Sequence, residues 1–241
     1  MKILRNLLAL VVSFMALLST KAQTAEEVVN KWTNAMGGKE KLASMQTLYI
    51  ENDVSIMNNA ASSKSWLVNG KGSKTETDFS GQKIIDCYTV NNGWSINPLA
   101  GQPTATPMPA SQIKMGQLQL EVAGPLFNYA SKGSKVELMG KDNVNGASVY
   151  KLKLINSGGI EMNFFISDSS YYILKEVTKL NTDGQDVEIN VVKSDYRKTE
   201  DGFVMPYSTE VSFPGLSVSL NSKKILVNQP VDPQIFEMPK N

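Results

Sequence analysis

From Thr47 onward the chain repeats one pattern: alternating apolar and polar residues, closed by a pair of strong turn formers. Alternation with a period of two sends successive side chains to opposite faces of a β-strand. Connections this short join antiparallel neighbours, because parallel neighbours need a crossover of a dozen residues or more. Thr47 to Met57 alternates, with Leu48, Ile50, Val54 and Ile56 as the inner set. A turn over Asn58 to Ser63 leads to a strand around Trp66 to Asn69, which Gly70-Lys71-Gly72 breaks. Lys74 to Phe79, Lys83 to Val90 and Trp94 to Asn97 follow. The second half adds Lys135 to Gly140, Ala147 to Asn156, Ile160 to Ser167, Tyr172 to Asn181, Val187 to Tyr196, Val204 to Phe213 and Leu216 to Val227. The separators include Asn145-Gly146, Asp183-Gly184 and Pro214-Gly215, and Asn-Gly favours a hairpin because both central residues take positive φ. About eleven or twelve strands in this order predict a mainly β (α+β) fold: one meandering, curved antiparallel sheet that forms an open, incomplete barrel closed by helices.

The rhythm stops once. Leu99 to Pro109 carries three prolines and no charge, which predicts an irregular loop. Ser111 to Ala123 reads as a helix with Met115, Leu118 and Val122 on one face, weakened by Gly116 and ended by Gly124-Pro125. Pro125 to Ala130 predicts a further short helix carrying Leu126, Phe127 and Tyr129. At the start, Thr24 and Glu27 make a capping box for a helix whose Ala25, Val28, Val29, Trp32 and Met36 share a face. Gly37-Gly38 stops that helix.

Residues 1–22 have the three parts of a secretory signal: Lys2 and Arg5, an apolar run from Leu7 to Leu18, and a small residue, Ala22, at the cut. The run of 12 is shorter than the roughly 20 apolar residues that span a bilayer. Cleavage leaves residues 23–241 as one mature β domain in the periplasm. Removing Lys2, Arg5 and Lys21 turns the net charge of +1 into −2, and no basic run remains for nucleic acid.

The chain has no histidine. That excludes Ser-His-Asp and Cys-His nucleophiles, His general bases and His-ligated metals. The single cysteine, Cys87, excludes an internal disulfide and CxxC chemistry, and its apolar neighbours mark it as a core residue. A hydrolase would need paired carboxylates. Glu51 with Asp53, Glu76 with Asp78, and Asp186 with Glu188 share strand faces, and each pair reads as a solvated face. The stretch Asn181 to Asp186 lacks the distal glutamate of a calcium loop. No cofactor or metal is expected. The central segment is instead rich in apolar residues, among them Met108, Ile113, Leu120 and Leu126. It either plugs the curved sheet as core or forms a lid over an apolar cavity, which a sheet of this many strands leaves room for.

Two ends of the chain carry a resemblance. Ala25-Glu26-Glu27-Val28-Val29, Ala35-Met36-Gly37-Gly38 and Leu42 open it; Asp201-Gly202-Phe203-Val204-Met205-Pro206, Pro214-Gly215, Val231-Asp232 and Phe236-Glu237-Met238-Pro239 close it. Together they resemble the periplasmic outer-membrane lipoprotein carrier and lipoprotein-sorting superfamily (Lol-type), in a Bacteroidota-like branch. The resemblance implies a non-catalytic carrier, an incomplete barrel whose apolar cavity holds a lipid or lipoprotein acyl chain, with envelope membrane proteins as further partners and a monomer as the working form. Placement, two tryptophans on strands before the lid and four apolar residues on or just after it, predicts that Trp66, Trp94, Met115, Leu118, Val122 and Phe127 line the pocket, with Gly116, Pro109 and Gly124-Pro125 letting the lid move as a unit. In those carriers an early-strand arginine latches the lid through backbone carbonyls. Here the sole arginine after residue 22 is Arg197, so a lysine or Trp66 takes its place or the latch is missing. The rival readings are a protein-binding module that uses a sheet edge and a carboxylate-based hydrolase.

Overall fold

A computed structural model describes residues 23–182 and 184–240. The expected signal over residues 1–22, and Asp183 of the expected Asp183-Gly184 turn, lie outside the described residues.

Helix α1 (Ala25–Ala35) begins as its capping box requires: the Glu27 amide donates to Thr24 Oγ1 and the Thr24 amide to Glu27 Oε2, both at 3.1 Å. Its apolar face buries Val28, Val29 and Trp32. A five-residue helix, α2 (Lys39–Ala43), follows and buries Leu42.

Six strands come next: β1 (Thr47–Ile56), β2 (Asn59–Val68), β3 (Gly72–Phe79), β4 (Gln82–Thr89), β5 (Gly93–Asn97) and β6 (Gln102–Pro107). After helix α3 (Ala110–Gln117) come seven more: β7 (Lys135–Val144), β8 (Ala147–Ile155), β9 (Glu161–Ser167), β10 (Ile173–Thr182), β11 (Gln185–Lys198), β12 (Val204–Phe213) and β13 (Leu216–Val227). All thirteen form one antiparallel sheet in the order β6-β5-β4-β3-β2-β1-β13-β12-β11-β10-β9-β8-β7. Every strand pairs with its sequence neighbours except at one place. The β1–β13 pairing joins the two halves, and the break falls between β6 and β7, the two open edges. The segment that connects those edges, residues 108–134, folds across one face of the sheet. There α3 packs on β4 and β5, and Leu126 and Phe127 join a core with α1, Leu48, Leu152, Phe164 and Ile225.

Four expectations need correction. The turn placed over Asn58 to Ser63 is only Met57-Asn58, both left-handed at φ 49° and 67°, and β2 runs unbroken from Asn59. Its first half has no apolar alternation to reveal it; β1 and β3 on either side supply the ladder. The proline-rich stretch contains a strand, β6, because an edge strand tolerates residues that cannot donate to a ladder, and Pro103 and Pro107 both stand exposed. The central helix ends at Gln117 rather than Ala123. Beyond it the amides of Leu118, Gln119 and Leu120 each bond three residues back, and the chain then leaves the helical path for contacts with the β2–β3 turn. Likewise Pro125 to Ala130 is not a helix; a single tight 3-10 turn spans Tyr129–Lys132.

Candidate functional site

A cavity of about 310 Å³ lies between the inner sheet face, α1, α2 and residues 118–126. Trp32, Met36, Leu42 and Met45 form one wall; Phe164, Ile173, Tyr196 and Met205 of β9 to β12 form the floor. Leu118, Val122 and Leu126 cover it. The volume is at the lower end of ordinary ligand pockets, which run from about 300 to 1,000 Å³.

The cover is tied down at three points. The Gly70 amide, in the β2–β3 turn, donates to the Leu120 carbonyl at 2.8 Å. The Val122 amide donates to Asn69 Oδ1 at 3.2 Å. Lys132 donates to the Gly124 carbonyl at 3.3 Å and pairs with Glu121. Of the latches expected, a lysine therefore does reach a lid carbonyl, but from after the lid and not from an early strand. Arg197 pairs with Asp195 at 2.5 Å and lies over the Tyr207 ring, away from the cover.

Among the expected pocket residues, Leu118 and Val122 line the cavity. Phe127 is buried in the same core and faces neighbouring clefts with Val29 and Tyr129 on one side and Leu42 on the other. Met115 packs on that core from α3 without reaching the cavity wall. Trp66 and Trp94 stand on the opposite face, a correction to their expected place. Leu67 packs into the inner core, so its neighbour Trp66 points outward, where it meets Tyr49 at 5.4 Å between ring centroids. Tyr49, Trp66, Lys74, Cys87 and Trp94 are successive cross-strand partners along that outer row. Phe236 of the C-terminal segment covers Trp94 and Cys87, and its carbonyl accepts the Trp94 indole N–H at 2.9 Å. Alternation separates two faces but does not say which is inner; the C-terminal strap supplies a second apolar face that the period alone did not reveal. Burial under that strap pushes the Cys87 thiol up to about 12, as expected of a core cysteine.

The polar features of the cavity escaped the sequence reading. Glu176 and Lys193, on β10 and β11, both line it and pair at 2.5 Å, each with about a fifth to a quarter of its side chain exposed. Glu176 sits beside Phe164 and Val191 in the ladder, so it interrupts an apolar row. Tyr196 donates its hydroxyl to the Ile173 carbonyl at 2.6 Å, and burial drives its phenol pKa upward. The Trp32 side chain is only 3% exposed, and its indole N–H finds no partner among the described residues.

None of the three carboxylate pairs read from the sequence lines the cavity. Glu51 accepts from Tyr49, Asp53 and Glu76 pair with lysines, and Asp186 and Glu188 accept from asparagines. The carboxylates that do line it, Glu121 and Glu176, are each ion-paired. Among the described residues no group of three His, Cys, Asp or Glu side chains could hold a metal ion, and no helix is long and apolar enough to cross a membrane. The arrangement can shelter an alkyl chain and offer hydrogen bonds to a small polar group.

No family model and no curated protein matches the chain. Solved structures do. A LolA superfamily protein from Nitrosomonas europaea aligns at a TM-score of 0.58 with 10% identity, over 90% of this chain and 98% of that one. A DUF1329 family protein from Desulfovibrio piger aligns at 0.57 with 14% identity, over 90% and 98%. A putative outer membrane lipoprotein-sorting protein domain from Vibrio parahaemolyticus aligns at 0.53 with 13% identity, over 87% and 94%. The chain has a LolA-like fold: an open, antiparallel, mainly β sheet with few helices.

Proposed function

We propose that this protein is a non-catalytic carrier that shelters the acyl chain of a lipid or lipoprotein in the cavity beneath residues 118–126, working in the periplasm of a Gram-negative cell after loss of residues 1–22. The observation that carries the reading is an apolar cavity closed by a tethered segment rather than by the sheet itself. Taking a methylene as about the size of a water molecule, roughly 30 Å³, 310 Å³ holds about ten carbons. At about 0.8 kcal/mol for each buried methylene, such a chain gains roughly 8 kcal/mol before ordering costs are subtracted. Outer-membrane lipoprotein sorting is the setting that the fold's relatives suggest. The test is uptake of a fluorescent fatty acyl probe by the wild type and by Leu118→Asp. An unpaired charge in the cavity wall is costly to any apolar ligand, so Leu118→Asp should lose uptake while keeping a β-sheet circular dichroism spectrum. A wild type that takes up no acyl probe refutes the carrier reading.

A further inference from the structure

An apolar cavity that serves only hydrocarbon has no use for an ion pair, and this one has one. Glu176 and Lys193 line it as a pair at 2.5 Å. The Tyr196 hydroxyl is already committed to the Ile173 carbonyl and offers no free donor.

The charges narrow the ligand further. Lys193 has three N–H donors and gives one to Glu176; the carboxylate can still accept on its other oxygen. Left intact, the pair is neutral and presents both donors and an acceptor. An anionic head that accepts from one of the remaining Lys193 N–H groups would lie against the Glu176 carboxylate, and the neutral pair gives it no net attraction in return. Glu121, the remaining ionisable group of opposite sign to lysine in the wall, adds no attraction for an anion. A neutral head with hydroxyls meets no such repulsion: its hydroxyls donate to Glu176 and accept from Lys193, and an ester oxygen can accept from another Lys193 N–H.

Building on the carrier reading, we infer that the cavity selects an uncharged single-chain lipid with a hydroxylated ester head, of the monoacylglycerol class, over the fatty acid anion of the same chain. The volume for about ten carbons favours one chain over several.

Titration calorimetry with three ligands of equal chain length tests this at pH 7.5: 1-monodecanoylglycerol, methyl decanoate and decanoate. The wild type should bind the monoglyceride about tenfold more tightly than decanoate, the scale of one to two net hydrogen bonds, with the methyl ester between them. Glu176→Gln should weaken the monoglyceride more than the methyl ester. Equal binding of all three ligands by the wild type, or tighter binding of decanoate, overturns the inference and leaves the carrier reading standing. Binding of none of them refutes the carrier reading itself. The wild-type series does not depend on whether that variant folds.

Discussion

Gly116 gives the sharpest test of how the cover is seated. A methyl group built on it would lie 2.0 Å from Tyr88 Cδ1 and 2.2 Å from Cγ. Relief would take more than an ångström of movement, and the ring cannot swing away about its own Cγ. Nor can α3 simply slide, because Ile113 and Met108 press on Gly93 at the same contact, 3.0 and 3.2 Å from where its own Cβ would stand. Overpacking of this kind costs about 1–3 kcal/mol. Alanine returns up to about 1 kcal/mol of helix propensity, so Gly116→Ala should destabilise by about 1–2 kcal/mol. For a chain of this length that lowers Tm by roughly 2–8 °C, readable by differential scanning calorimetry. In a Tyr88→Ala background the clash is gone, and the same substitution should be neutral or stabilising. A Gly116→Ala protein as stable as the wild type, or an equal loss in both backgrounds, would refute the reasoning.

Two other changes probe different parts of the account. Asn69→Ala removes the acceptor for the Val122 amide and should cost about 0.5–1.5 kcal/mol, with faster hydrogen exchange at Val122 and Leu120 than at strand amides such as Leu152; unchanged exchange there would mean that the tether does not hold the cover. Asp86, on β4, has its carboxyl pKa raised by burial, so the folded state favours the protonated form and that advantage is lost as pH rises through the folded value. Asp86→Asn should therefore raise the urea midpoint at pH 7, with the gain shrinking towards pH 3; a gain that is the same at both pH values would contradict the burial argument.

Much of the fold was legible because its signals are local. Asn145-Gly146 turns through a left-handed pair, as a two-residue hairpin requires. The capping box at Thr24 formed because both partners lie within one turn. What escaped depends on distant neighbours. β6 is a strand because an edge forgives proline, and the first half of β2 is one because β1 and β3 flank it. Gly116 read as a weak point that frees the helix, whereas it is the place where α3 approaches Tyr88 most closely. The candidate site was legible only in part for the same reason. Leu118 and Val122 belong to the interrupted segment, which stands out in the sequence. Trp32 lies far along the chain from Glu176 and Lys193, and only the β10–β11 register together with α1 brings all three to one cavity. Trp66 and Trp94 looked like pocket residues because aromatic size suggests an interior, and the C-terminal strap at Phe236 supplied a different one.

The central claim is that the cavity carries a lipid chain, and native mass spectrometry of the protein expressed in and purified from its own host tests it most directly. The account predicts a folded protein with one added mass, released on collision, that fragments as a single-chain lipid and is absent from Leu118→Asp. A wild type that emerges at its bare mass, and stays so after incubation with 1-monodecanoylglycerol and with decanoate, would contradict it.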